Sequence, residues 1–113
     1  MFKFERFPTF TWPVHVQVPT DGGKFAEQVF TARWQLQDSE ELRKAQNADG
    51  ADGVKVLFDR ALKGWENDLC DQAGAPIPFT PENVEMVRTA PHVRAAMVAS
   101  YWDAVNGGLR LKN

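Results

Sequence analysis

Between Phe10 and Val18 apolar and polar positions alternate: Phe10, Trp12, Val14, Val16 and Val18 share one parity, and Thr11, Pro13, His15 and Gln17 the other. A period of two predicts a half-buried strand. A second alternating run follows, with Phe30, Ala32, Trp34 and Leu36 on one face and Val29, Thr31, Arg33 and Gln35 on the other. Between them lies Pro19-Thr20-Asp21-Gly22-Gly23-Lys24. Proline ends pairing and Asp-Gly-Gly tolerates positive φ, so the two runs are predicted to close as an antiparallel hairpin. Pro13 has no N–H to give a ladder, which puts its strand at an edge, or Pro13 at a bulge or solvent-facing position. Such an edge is open to docking. Ahead of the hairpin, Phe2-Lys3-Phe4-Glu5-Arg6-Phe7 alternates more weakly and is expected to form a short third strand or an arm. Two strands alone are marginal in water, so the Phe and Trp face needs a cover, which helices of the C-terminal half are expected to supply.

After residue 37 the period changes. Asp38-Ser39-Glu40-Glu41-Leu42 combines a side-chain N-cap with first-turn acids and predicts a short helix to Ala45. Asn47 to Gly53 is a polar loop. From Val54 to Leu69 the apolar positions Val54, Leu57, Phe58, Ala61, Leu62, Trp65 and Leu69 keep three-and-four spacing, predicting an amphipathic helix of about four turns. Gly64 weakens that helix and is expected to serve close packing beside Trp65. Gly74 suits a left-handed C-terminal cap. Ala75 to Phe79, with alternate prolines, must be extended, with Ile77 and Phe79 expected to plug the core. Thr80-Pro81-Glu82 starts a helix running to about Thr89, and Pro91 restarts another to about Val105. The prediction is an α+β domain over 1–113: a hairpin region at 1–37, a bundle of about four helices at 38–106 and a loose tail at 107–113.

Composition removes whole classes. The 113 residues are 43% hydrophobic and 25% charged with a net charge of -2, which fits one folded domain and not a disordered chain. No run approaches the ~20 apolar residues of a membrane span, and the start lacks the plan of a signal peptide. The single Cys70 excludes an internal disulfide framework and a multi-Cys zinc site. An EF-hand count from Asn47 puts Asp52 where Gly is required and Phe58 where Glu is required, so calcium is not expected there. Cys70 is expected as a small buried or half-buried thiol near a helix end, and His15 and His92 as exposed side chains with no carboxylate placed beside them by local spacing. Neither a catalytic group nor a cofactor is expected. Four Phe in the first ten residues resemble a base-stacking platform, but only Lys3 and Arg6 are basic there, with Glu5 between them, so nucleic acid is not an expected partner. Thirteen aromatics are more than one small core readily buries. Phe4, Phe7, Trp12, Trp34, Trp65 and Trp102 are the candidate protein-binding surface.

The order of several short motifs resembles the tail assembly chaperones encoded by long-tailed bacteriophages and prophages. The residues are Trp12-Pro13-Val14 leading to Val18-Pro19, Asp21-Gly22-Gly23-Lys24, Phe30, Gly64-Trp65 and Gly74. Pro76-Ile77-Pro78-Phe79, Glu82-Asn83, Pro91, Tyr101 and Lys112-Asn113 continue the series. The likeness spans nearly the full chain, though each piece is short and none is catalytic. It implies a non-catalytic holdase that binds the tape measure protein in the host bacterial cytoplasm, self-associates, and reaches the tail tube protein through a longer, frameshifted product. Two other classes fit the residues: a structural tail or head–tail component, and a small prophage-encoded regulator or inhibitor acting through the hairpin edge.

Overall fold

The computed structural model describes residues 1–107. Strand β1 (Thr9–Thr20) and strand β2 (Lys24–Gln35) form the hairpin, in register from Thr9↔Gln35 to Thr20↔Lys24. Gly22 and Gly23, at φ of 82° and 76°, make the reversal that residues with a Cβ resist. Helix α1 (Ser39–Gln46), helix α2 (Gly53–Ala61), helix α3 (Pro81–Thr89) and helix α4 (Pro91–Val105) pack on one face of the sheet. The expected α+β architecture and its four helices are present.

A third strand forms from residues whose spacing predicts helix. The expected helix 54–69 ends at Ala61, and Leu62–Trp65 becomes strand β3, paired antiparallel to β2 through Ala32↔Trp65, Arg33↔Gly64 and Trp34↔Leu62. Leu62 and Gly64 turn inward and Lys63 outward, the period of a strand. Leu62 already has ψ of 118°, and the open edge of β2 supplies hydrogen bonds that a longer helix would have forgone. Gly64 is not a close-packing glycine: a Cβ there would meet only the Arg33 Cβ at 3.8 Å, ordinary contact. Gly64→Ala is therefore expected to leave urea stability unchanged or raise it by up to ~1 kcal/mol, since alanine has less freedom to lose on folding. Gly74, at φ 84°, sits in the Asp71–Gly74 turn and not at a helix end. The Phe2–Phe7 segment takes the arm alternative and forms no strand. Val105 ends α4 as expected, and the tail expected at 107–113 lies outside the described residues beyond Gly107.

Helix starts follow local chemistry. Asp38 Oδ1 accepts from the Glu40 and Glu41 amides, each at 3.0 Å, while its Oδ2 takes Arg6 at 2.8 Å. Asp52 caps α2 through the Val54 and Lys55 amides. The Glu41 amide first, then the Arg6 side chain, hold the Asp38 carboxyl below its ordinary 3.8, and the Lys55 amide does most for Asp52. A carboxyl whose folded pKa is lowered contributes stability above its unfolded pKa and loses it as pH falls through the folded one. Helicity is thus expected to drop below about pH 4, and Asp38→Asn is expected to flatten that acid limb in circular dichroism at 222 nm.

The core lies between sheet and helices: Val14, Phe30, Ala32 and Trp34 from the hairpin meet Leu42, Leu57, Phe58, Met97 and Tyr101. Trp34 Nε1 donates to Ser100 Oγ at 3.3 Å, and Ser100 Oγ donates to the Pro13 carbonyl at 3.0 Å. The Tyr101 hydroxyl accepts from the Gln37 amide at 3.1 Å, and burial raises its pKa.

Edge chemistry is asymmetric. Thr31 turns both backbone groups away from β1, its carbonyl accepting from the Glu66 amide and its amide donating to Asp68. Odd-numbered residues of β2 therefore face outward, and their β1 partners, Pro13 and Pro19 among them, face outward on the other side. Both prolines thus occupy places where no ladder N–H is missed, and with α4 lying against Pro13 and His15 they blunt the β1 edge.

Candidate functional site

Phe58, with Lys55 and Asp59, marks one turn-spaced face of α2, and Pro81, Val84, Glu85 and Arg88 mark the same kind of face on α3. Leu62, where the chain enters β3, and Phe79, just ahead of α3, complete the lining. Together they line an open groove of 410 Å³. Its floor is apolar, with Phe58 and Leu62 buried and Phe79 43% exposed. The expectation that Phe79 plugs the core does not hold. It stands edge-on to Trp65 at 4.8 Å, while Ile77 is half-buried and its carbonyl takes the Trp65 indole N–H at 2.7 Å.

The rim charges are already paired. Lys55 Nζ lies 2.9 Å from Asp59, and Arg88 bridges Glu85 and, at 3.3 Å, Asp52. Glu85 raises the Arg88 pKa, so that cation is fixed. An apolar floor between two balanced charged rims suits the apolar stripe of an amphipathic helix, with mixed charges on either side.

A second cavity, 280 Å³, opens between the hairpin and the start of α4. Cys70, His92, Asp68 and Asp71 all line it, a convergence that local spacing did not reveal. The polar atoms of Cys70, Asp68 and Asp71 have structural partners. Cys70 Sγ donates to the Asn67 carbonyl at 3.1 Å, Asp68 holds the Thr31 amide and hydroxyl, and Asp71 accepts from the Ala73 and Ala75 amides. The Cys70 thiol is exposed, because the helix expected around it is absent. His15 and His92 are exposed as expected, with His15 Nδ1 3.5 Å from Glu27 across the hairpin.

The six candidate aromatics separate. Trp34 is 0% exposed and lies on no surface, a correction that follows from its inward parity and its contacts with Phe58 and Tyr101. Trp12, Trp65 and Trp102 are half-buried against the core, and Trp65 backs the groove through Phe79. Phe4 is 78% exposed and Phe7 38%. Phe2, Phe25, Val29, Phe79 and Met86 are also exposed. Phe25 and Val29 were legible, since both sit on the outward parity of β2. Among the described residues no group of three or more His, Cys, Asp or Glu side chains could hold a metal ion, and no helix is long and apolar enough to cross a membrane. No protein-family model, no curated protein and no solved structure matches the chain.

Proposed function

We propose that this chain is a tail assembly chaperone of a long-tailed phage or prophage, a non-catalytic holdase for the tape measure protein in the host bacterial cytoplasm. The observation that carries the reading is the α2–α3 groove, an open trough with an apolar floor whose rim charges are already paired. The sequence resemblance supplies the client: a long helical chain whose apolar stripes need cover until the tube closes around it. Helix-in-groove binding would bury those stripes without chemistry. A longer frameshifted product would extend the same platform to the tail tube protein. Co-expression with the neighbouring long, tape-measure-like protein tests this: more soluble client and a recoverable complex are expected, and unchanged solubility with no complex sinks it.

A second reading has one observation of its own. The unpaired β2 edge beyond Thr31 favours a regulator or structural tail component that grips an extended strand. Detection of the protein in purified virions would favour the structural component, and intact tails after deletion of the gene would favour the regulator.

A further inference from the structure

We infer that copies of this chain join head to tail, the arm 2–6 of one copy adding as a strand to the free β2 edge at Phe25–Val29 of the next. The edge is prepared for a strand. β3 stops pairing at Ala32, Asp68 occupies the Thr31 amide, and beyond it the outward N–H and C=O groups of Val29, Glu27 and Phe25 have no partner among the described residues. Unlike β1, this stretch has no proline.

The arm has the matching pattern. Phe2 and Phe4, 84% and 78% exposed, share one parity with Arg6, and Lys3 and Glu5 hold the other. Paired to the edge, the two rings face the cavity floored by Val16, Phe30, Leu69 and Val93, and Lys3 falls opposite Glu27 on the outer face.

The acceptor cannot be the arm's own edge. Arg6 is pinned to Asp38 at 2.8 Å, and the Phe7 and Pro8 carbonyls accept from Gln35 and Leu36, all at the far end of β2. Phe4 lies two residues from Arg6, a reach of roughly 7 Å, whereas Val29 lies six residues up the strand, roughly 20 Å away. The partner is a second copy. Because arm and edge are different surfaces, the contact is heterologous and propagates into a row or ring.

Sedimentation velocity from about 1 µM to 1 mM tests it. Wild type is expected to grow past dimer with concentration. Phe2→Ser with Phe4→Ser removes the donor, and Val29→Pro removes an outward N–H while keeping the ladder to β1; each protein alone is expected to stay monomeric with an unchanged thermal melt. Mixed, they are expected to give a dimer and nothing larger, since one intact arm meets one intact edge. Should Val29→Pro unfold, Lys3→Glu and Glu27→Lys replace it: each weakens association at least threefold and the pair restores it. A wild type that is monomeric throughout overturns the inference. So does an arm variant that still assembles, which would mean edge-to-edge pairing of β2, and so does a charge exchange that restores nothing.

Discussion

Trp34→Ala is expected to destabilise the protein by about 3–5 kcal/mol, the range for deleting a buried aromatic and leaving its cavity. Trp34 is fully buried at the point where three elements meet: its ring stands edge-on to Phe58 of α2 at 6.3 Å and to Tyr101 of α4 at 5.4 Å. Its indole N–H reaches Ser100, which in turn reaches Pro13 on β1. A domain of this length holds roughly 6–17 kcal/mol in total, so one substitution removes a large share. The melting temperature is expected to fall by roughly 10–25 °C. Trp34→Phe separates the two causes. It keeps most of the ring contact and leaves Ser100 Oγ still bonded to Pro13, so its cost is expected to be nearer 1–2 kcal/mol. Equal losses in the two variants would mean that the indole hydrogen bond, and not ring packing, holds the sheet to α4.

What the sequence revealed about this core was local. Pro19 to Lys24, the capping Asp38 and Thr80, and the prolines at 81 and 91 each act within a few residues, and the hairpin and the starts of α1, α3 and α4 follow from them. Strand β3 does not have that character. Leu62, Trp65 and Leu69 continue the stripe of α2 at helical spacing, so the 3.6-residue period is satisfied on paper. The deciding fact is the open edge of β2 at Thr31–Trp34, some thirty residues away, and no window along the chain contains both. Trp34 shows the converse. Its parity with Phe30 and Ala32 already placed it inside, but counting aromatics treated it as surplus surface. The α2–α3 groove was hidden for the same reason as β3. Only when the chain leaves the helix at Ala61 do Leu62 and Phe79 come to line one groove.

Phe79→Ala is expected to weaken client binding about thirtyfold, the equivalent of ~2 kcal/mol for an anchor in a desolvated groove. The ring is held where an anchor should be: edge-on to Trp65, at the start of α3, with one side turned to the open trough. Its half-exposure makes truncation cheap for the fold. Little core volume is vacated, and stability is expected to change by about 1 kcal/mol or less. Binding and folding are thereby separable at this position, unlike at Trp34. Isothermal titration with the purified tape-measure-like protein, or with its longest amphipathic segment, measures the first effect, and a urea melt the second. The arm variant Phe2→Ser with Phe4→Ser supplies the contrast, because it leaves the groove intact and is expected to keep the affinity of a single site while losing assembly along the client. If Phe79→Ala binds as wild type and the arm variant does not, the client is held by the arm, and the α2–α3 groove is not the chaperone site.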